Sequence, residues 1–144
     1  MKVLVVFVSL VMLNVFKEFK VISHPAKDIV NRLPVWSAMS DFYVDNELTD
    51  DRIREIAKVC SDSPYTLRDL EKIMFTEVWP AFVRNLFSVA GEWVGWSDDV
   101  IIDRIIKNYK NRFYFSWRLN PLKIYFCRKW LAVEKEVARK RGSR

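Results

Sequence analysis

Apolar side chains in this chain recur at steps of three and four. Val35, Trp36, Met39, Phe42 and Tyr43 fall on one helical face in this way. The same step runs through Ile53, Ile56, Ala57 and Cys60, then through Leu67, Leu70, Ile73 and Met74. Phe82, Val83, Leu86 and Phe87 continue it, and Val100, Ile101, Ile102, Ile105, Ile106 and Tyr109 line a further segment. Only 3 glycines argue against a set of tight hairpins and favour helices joined by short links.

Helix-end signals divide these stripes. Pro34 opens the first helix, in its first turn. Thr49 caps the second, with Asp50 and Asp51 at its positive end. Thr66-x-x-Asp69 is a capping-box variant for the third. Val78-Trp79-Pro80 interrupts this helix or starts a new one, and Gly91 and Gly95 bracket Trp93 in a loop. Ser97 caps a later helix. Asn120-Pro121 starts the last one, which runs to about Lys140. The expected fold is all-α: a single-domain irregular or orthogonal bundle of five to seven helices. Residues 24–140 form the helical domain, and 141–144 a frayed basic tail.

Residues 1–23 form a separate apolar N-terminal segment: helix, strand or anchor. Val3 to Phe16 is apolar except for Ser9 and Asn14. As a helix it reaches only ~21 Å against a hydrocarbon core of ~30 Å. A charged start and apolar middle also suit a signal peptide, but charges follow the run and no A-x-A site does. The expected location is the cytoplasm, the alternative the inner membrane surface.

The net charge of +6 conceals segregation. Residues 41–103 hold 6 basic and 14 acidic side chains, whereas residues 104–144 hold 13 basic and 2 acidic. Two such regions attract different partners. The acids are densest at Asp41, Asp45, Glu47, Asp50 and Asp51. Capping explains Asp50 and Asp51. Asp41, Asp45 and Glu47 sit late in their helix, where the dipole disfavours negative charge. The cluster lacks the central Gly and final Glu of an EF-hand loop, so a docking patch for a basic protein explains it better than Ca²⁺.

The chain gives little to catalysis. His24 is the only histidine, which argues against a His-based metal site or a Ser-His-Asp triad. Cys60 and Cys127 are far apart in sequence and read as buried thiols. Glu77 and Glu92 flank aromatic residues and could pair as acids, but Glu77 reads more simply as a solvent-facing helix residue and Glu92 as a loop residue beside Gly91. No phosphate loop is present. Lys107, Tyr109, Lys110, Arg112, Phe113, Tyr114, Trp117 and Arg118 have a composition that can bind nucleic acid, but an amphipathic helix explains it as well. No catalytic residue, metal or cofactor is expected.

The stretch from Pro34 to Trp96 resembles a family of small bacterial helical proteins of unknown biochemical function. The segments that carry the likeness are Val35 to Tyr43, Asp45 to Leu48, Ser63 to Leu67, Glu77 to Pro80 and Asn85 to Trp93. Such proteins resemble the immunity proteins of contact-dependent and polymorphic toxin systems. The resemblance implies a non-enzymatic protein that neutralises a cognate toxin, such as a cationic nuclease domain. The expected contact surface is Asp41, Asp45, Glu47, Asp50, Asp51, Tyr43, Glu92, Trp93 and Trp96, with Trp36 a further aromatic anchor. The alternative is a small membrane-associated protein held by the N-terminal run and basic side chains. A nucleic-acid-binding helical module ranks third.

Overall fold

The structure, a computed structural model, describes residues 22–44, 48–87, 95–109 and 122–143, with the side chains of the last stretch described from Arg128 onward. Every regular element among the described residues is helical. We number the α-helices α1 (Ile29–Ser40), α2 (Asp50–Asp62), α3 (Leu67–Ile73), α4 (Trp79–Phe82), α5 (Asp98–Asn108) and α6 (Leu122–Gly142). The N-terminal run of residues 3–16, Asp45, Glu47, Glu92 and Trp93, and the aromatic stretch Phe113 to Trp117 lie outside the described residues.

Helix α1 begins earlier than Pro34 suggests. A 3-10 turn at Pro25–Lys27 leads into Ile29, and Pro34 lies inside the helix. Proline has no N–H to give the carbonyl four residues back, so it commonly marks a first turn. Here Pro34 is on the exposed side. Buried on α1 are Arg32, Val35, Trp36 and Met39, at steps of three, four and seven, and Ser40 at the last position. A cation therefore occupies the first turn of a stripe whose middle is apolar.

The capping signals hold in two cases of three. The Thr49 hydroxyl accepts from Arg52 N–H at 3.3 Å. Thr66 and Asp69 form a reciprocal capping box, at 3.1 Å in each direction. Ser97 occupies the N-cap of α5 through its backbone, its carbonyl accepting from Ile101 N–H at 3.0 Å, but its side chain makes no capping bond.

Pro80 neither ends a helix nor starts an isolated one. Helix α3 continues through a π turn at Met74–Val78 into α4 and then a 3-10 turn at Val83–Phe87. In the π turn, Trp79 N–H reaches back to the Met74 carbonyl. The widened turn absorbs a register change just before a residue with no N–H. Its five residues, Met74, Phe75, Thr76, Glu77 and Val78, are all buried. A helix buried all round belongs in the interior, and this segment is the axis of the bundle.

Helices α1 and α5 pack against this segment. Helix α1 lies against α2, α5 and the π turn, while α2 and α6 run along each other in the most extensive pairing. One cluster of buried residues joins Trp36, Tyr43, Ile56, Cys60, Leu70, Phe75, Phe82, Ile101, Trp130 and Val137. Burying a side chain of this size contributes roughly 1.5–3 kcal/mol, so the aromatic content builds the scaffold.

The end of helix α6 is tied to α2 through Arg141. Helix α6 reaches Gly142, and the Arg141 guanidinium donates to the carbonyls of Cys60 (2.9 Å) and Tyr65 (2.8 Å). Longer bonds reach Ser61 and Ser63, both at 3.4 Å. Carbonyls at a helix C-terminus lack intrahelical partners and carry the negative end of the dipole. One cation from α6 supplies both needs for α2.

Candidate functional site

Two polar arrangements stand out against this core. The first is buried at the meeting of α1 and the π turn. Arg32 Nη1 donates to Glu77 Oε1 at 2.8 Å, with both side chains at most 1% exposed. Trp36 Nε1 donates to the other Glu77 oxygen at 2.7 Å. Arg32 Nη2 donates to the Ser23 carbonyl at 2.5 Å, while Nε has no partner among the described residues. The Arg32 guanidinium also lies 5.9 Å from the centre of the Tyr65 ring. The Tyr65 hydroxyl donates to Asp28 at 2.5 Å.

Electrostatics follow from this geometry. Burial raises Glu77 to about 7, against the opposing pull of the Arg32 charge and the Trp36 N–H. The Tyr65 hydroxyl holds Asp28 below its ordinary value. The sequence expectation placed Glu77 toward solvent; the π turn places it inside. Its enclosure makes the Arg32–Glu77 pair a fixed joint between two elements. The sequence signal for it was Arg32 itself, one turn before Val35 and Trp36 on the same stripe.

The second arrangement is open. A groove of about 370 Å³ lies between α1, α2 and the start of α5. Its lining from the α1 side is Leu33, Pro34, Ser37, Ala38 and Asp41; from α2, Glu55, Ile56 and Val59; and from α5, Asp98. Apolar side chains form much of the wall, and three carboxylates add acid from three elements. Arg52 spans two of them. Its Nε lies 3.1 Å from Asp41 Oδ2, and its Nη1 lies 3.0 Å from Glu55 Oε2. Asp98 makes no ion pair among the described residues. Burial raises Asp41 above its ordinary value, which the Arg52 charge partly opposes and Glu55 reinforces.

The expected contact residues that are described fall in different surroundings. Asp41 enters the groove. Asp50 and Asp51 are exposed on the first turn of α2, outside the groove lining, and Asp51 pairs with Arg54. Tyr43 is fully enclosed, its hydroxyl donating to Met74 Sδ at 3.4 Å, so the anchor role expected for it is wrong. Trp36 is equally enclosed and cannot meet a partner. Both obey the helical stripe that predicted the core, and a stripe residue cannot serve both purposes. Trp96 is partly buried, 4.5 Å from the Phe82 ring centre, with Arg104 5.7 Å above it. Asp45, Glu47, Glu92 and Trp93 are outside the described residues.

Glu55 and Asp98 are the acids that sequence reasoning missed. Glu55 follows Arg54 and precedes Ile56 on α2 with no other acid beside it, and Asp98 lies in the first turn of α5, where the dipole by itself favours a carboxylate. Only the approach of α1, α2 and α5 gives them a shared purpose.

Other chemistry is sparse. Cys60 is buried and its thiol is pushed up to about 12, which suppresses the reactive thiolate. Among the described residues no three His, Cys, Asp or Glu side chains converge to hold a metal ion. No described helix is long and apolar enough to cross a membrane.

A family model described as Domain of unknown function (DUF7079) matches residues 30–141. The chain belongs to this family. No curated protein and no solved structure matches it. The DUF7079 match takes in the whole groove, the Arg32–Glu77 pair and the Arg141 clamp. It also extends past the resemblance of Pro34 to Trp96 to include the basic α6. In this DUF7079 chain, therefore, the C-terminal helix belongs to the domain.

Proposed function

We propose that this protein is a non-catalytic binding module whose acid-bearing groove receives a cationic segment of a protein partner. The observation that carries the reading is the convergence of Asp41, Glu55 and Asp98, from three elements, around Leu33, Pro34, Ala38, Ile56 and Val59. A mixed lining of this kind suits the long side chain of a basic residue, with stem on the apolar wall and head on the carboxylates. Charge complementarity speeds encounter and selects among partners. The resemblance to immunity proteins supplies the partner class: a cognate bacterial toxin domain with a basic surface, such as a nuclease. Inhibition then works by occlusion of the toxin's active site or substrate groove.

The test is co-expression with the C-terminal domain of the protein encoded in the neighbouring upstream reading frame, where a cognate toxin is expected. A stable complex on gel filtration, with toxin activity blocked, is expected. Loss of both when Glu55 and Asp98 are changed to Lys ties the complex to the groove. Failure of the unaltered pair to associate overturns the reading.

A further inference from the structure

We propose that the apolar N-terminal run, Val3 to Phe16, folds back along α1 and covers the groove, with Lys2 at its acidic end. The groove is that of the binding reading, but the occupant is a segment of the same chain, and its docking does not depend on that reading. The need for a cover comes from α1. Asn31, Arg32, Ser37 and Ser40 are its only polar residues, and Arg32 and Ser40 are buried. A helix apolar nearly all round belongs in an interior. Val35, Trp36 and Met39 meet the core. On the other face Val30 is 87% exposed, and Leu33, Pro34 and Ala38 line the groove. Val30 lies one turn before Leu33 and Pro34, so the four form a continuous apolar strip along α1. Ile56 and Val59 of α2 widen it.

Attachment, length and charge all favour this occupant. Ile22 packs against the core and is joined to α1 by the short 3-10 turn at Pro25–Lys27. The residues before it are therefore attached at the N-terminal end of α1, where Val30 stands. As a helix the run is ~21 Å long and α1 is ~18 Å, so the two match. Lys17 to Asp28 are ample chain for the return of an antiparallel pair. An apolar run of about 10–14 residues is too short to span a bilayer and suits a buried helix. The antiparallel path brings Lys2 to the far end of α1, where Asp41 lies, linked through Arg52 to Glu55. A partner's basic segment then enters by displacing the run, which makes the run an internal competitor for the groove.

The experiment uses the full chain with Cys127→Ser, so that the enclosed Cys60 is the one native thiol left. Lys2→Cys with Glu55→Cys, and Lys17→Cys with Glu55→Cys, are treated with bis-maleimidoethane, and cross-linking within one chain is followed by mass spectrometry. The Lys2 pair should close at least about fivefold faster than the Lys17 pair, although Lys2 is farther from Glu55 along the chain, because docking raises its effective concentration. Val5→Asp, Leu10→Asp and Val11→Asp together put charge on every side of a helical run and should erase this preference. An unlabelled Cys60 shows that the domain of each variant is folded. Equal closing rates with the unaltered run would overturn the proposal, and so would a preference that survives the three aspartate changes. Cross-links that form only between two chains and fade on dilution would make a second copy the occupant and overturn it too. The outcome is separable from the binding reading. A toxin domain that fails to associate sinks that reading and leaves the cross-link standing, whereas equal closing rates leave the toxin assay untouched.

Discussion

Arg32 and Glu77 form an ion pair that is closed to solvent and links α1 to the π turn. Glu77 receives a second donor from Trp36, so three side chains from two elements fix one another. The desolvation of two buried charges is expensive, and their attraction offsets it only while both are present.

Removing one charge should therefore be severe. Arg32→Met leaves a buried carboxylate without its cation and should cost about 3–5 kcal/mol near pH 8. The double change Arg32→Met with Glu77→Leu should recover most or all of that loss, since apolar replacement of a buried pair is often neutral or stabilising. Urea denaturation of the three proteins at one pH measures this. A double variant no more stable than the single one contradicts it.

Proton linkage gives a signed prediction. Folding raises Glu77 from its ordinary 4.5 to about 7. Between these values the folded chain holds a proton that the unfolded chain has released. The Glu77 contribution is therefore fully present below about 4.5 and is lost as pH rises through about 7. A tenfold change in proton affinity is worth about 1.4 kcal/mol, so the total loss is on the order of 3 kcal/mol. The stability difference between the unaltered protein and the double variant, measured from pH 4.5 to 8, should move against the unaltered protein as pH rises. A difference that is flat with pH refutes this assignment.

The Arg141 clamp predicts a C-terminal dependence. Arg141→Ala leaves the carbonyls of Cys60 and Tyr65 without their charged donor and should cost about 2 kcal/mol. Lysine should restore only part, because it lacks the fork that reaches several carbonyls at once. Hydrogen exchange at the end of α2 should rise in step with the lost stability. A tail that can be removed without effect would show that α6 ends earlier in energetic terms.

Tyr43 separates scaffold from surface. Tyr43→Phe removes only the hydroxyl that meets Met74 and should leave partner association within about twofold. Tyr43→Ala opens a cavity and should cost about 3–5 kcal/mol. Thermal melts and binding assays on both variants check this. Loss of binding in a fully folded Tyr43→Phe protein would place the ring at an interface after all.

The helical stripes were legible because an amphipathic helix writes its core at steps of three and four. Thr49 and Thr66 marked true starts, and the last helix expected to run to about Lys140 is α6, described from Leu122 onward. Pro34 misled because its position on the exposed side lets α1 continue through it. Glu77 misled because a carboxylate is rarely buried, although it continues the stripe of Leu70, Ile73 and Met74 at steps of seven, four and three. The acidic site was half legible. Asp41 was visible in its linear cluster, but Glu55 and Asp98 join it only through packing, and no local pattern records which helices meet. The aromatic anchors failed for a related reason: Trp36 and Tyr43 lie on the stripe that builds the core.

The groove's role is tested most directly by stopped-flow association, across ionic strength, with the basic toxin domain proposed as its partner. The account predicts that Glu55→Lys with Asp98→Lys slows association at least tenfold at low salt, and that the gap narrows as salt screens the field. Equal rates for the unaltered and charge-reversed proteins at every salt concentration would contradict it.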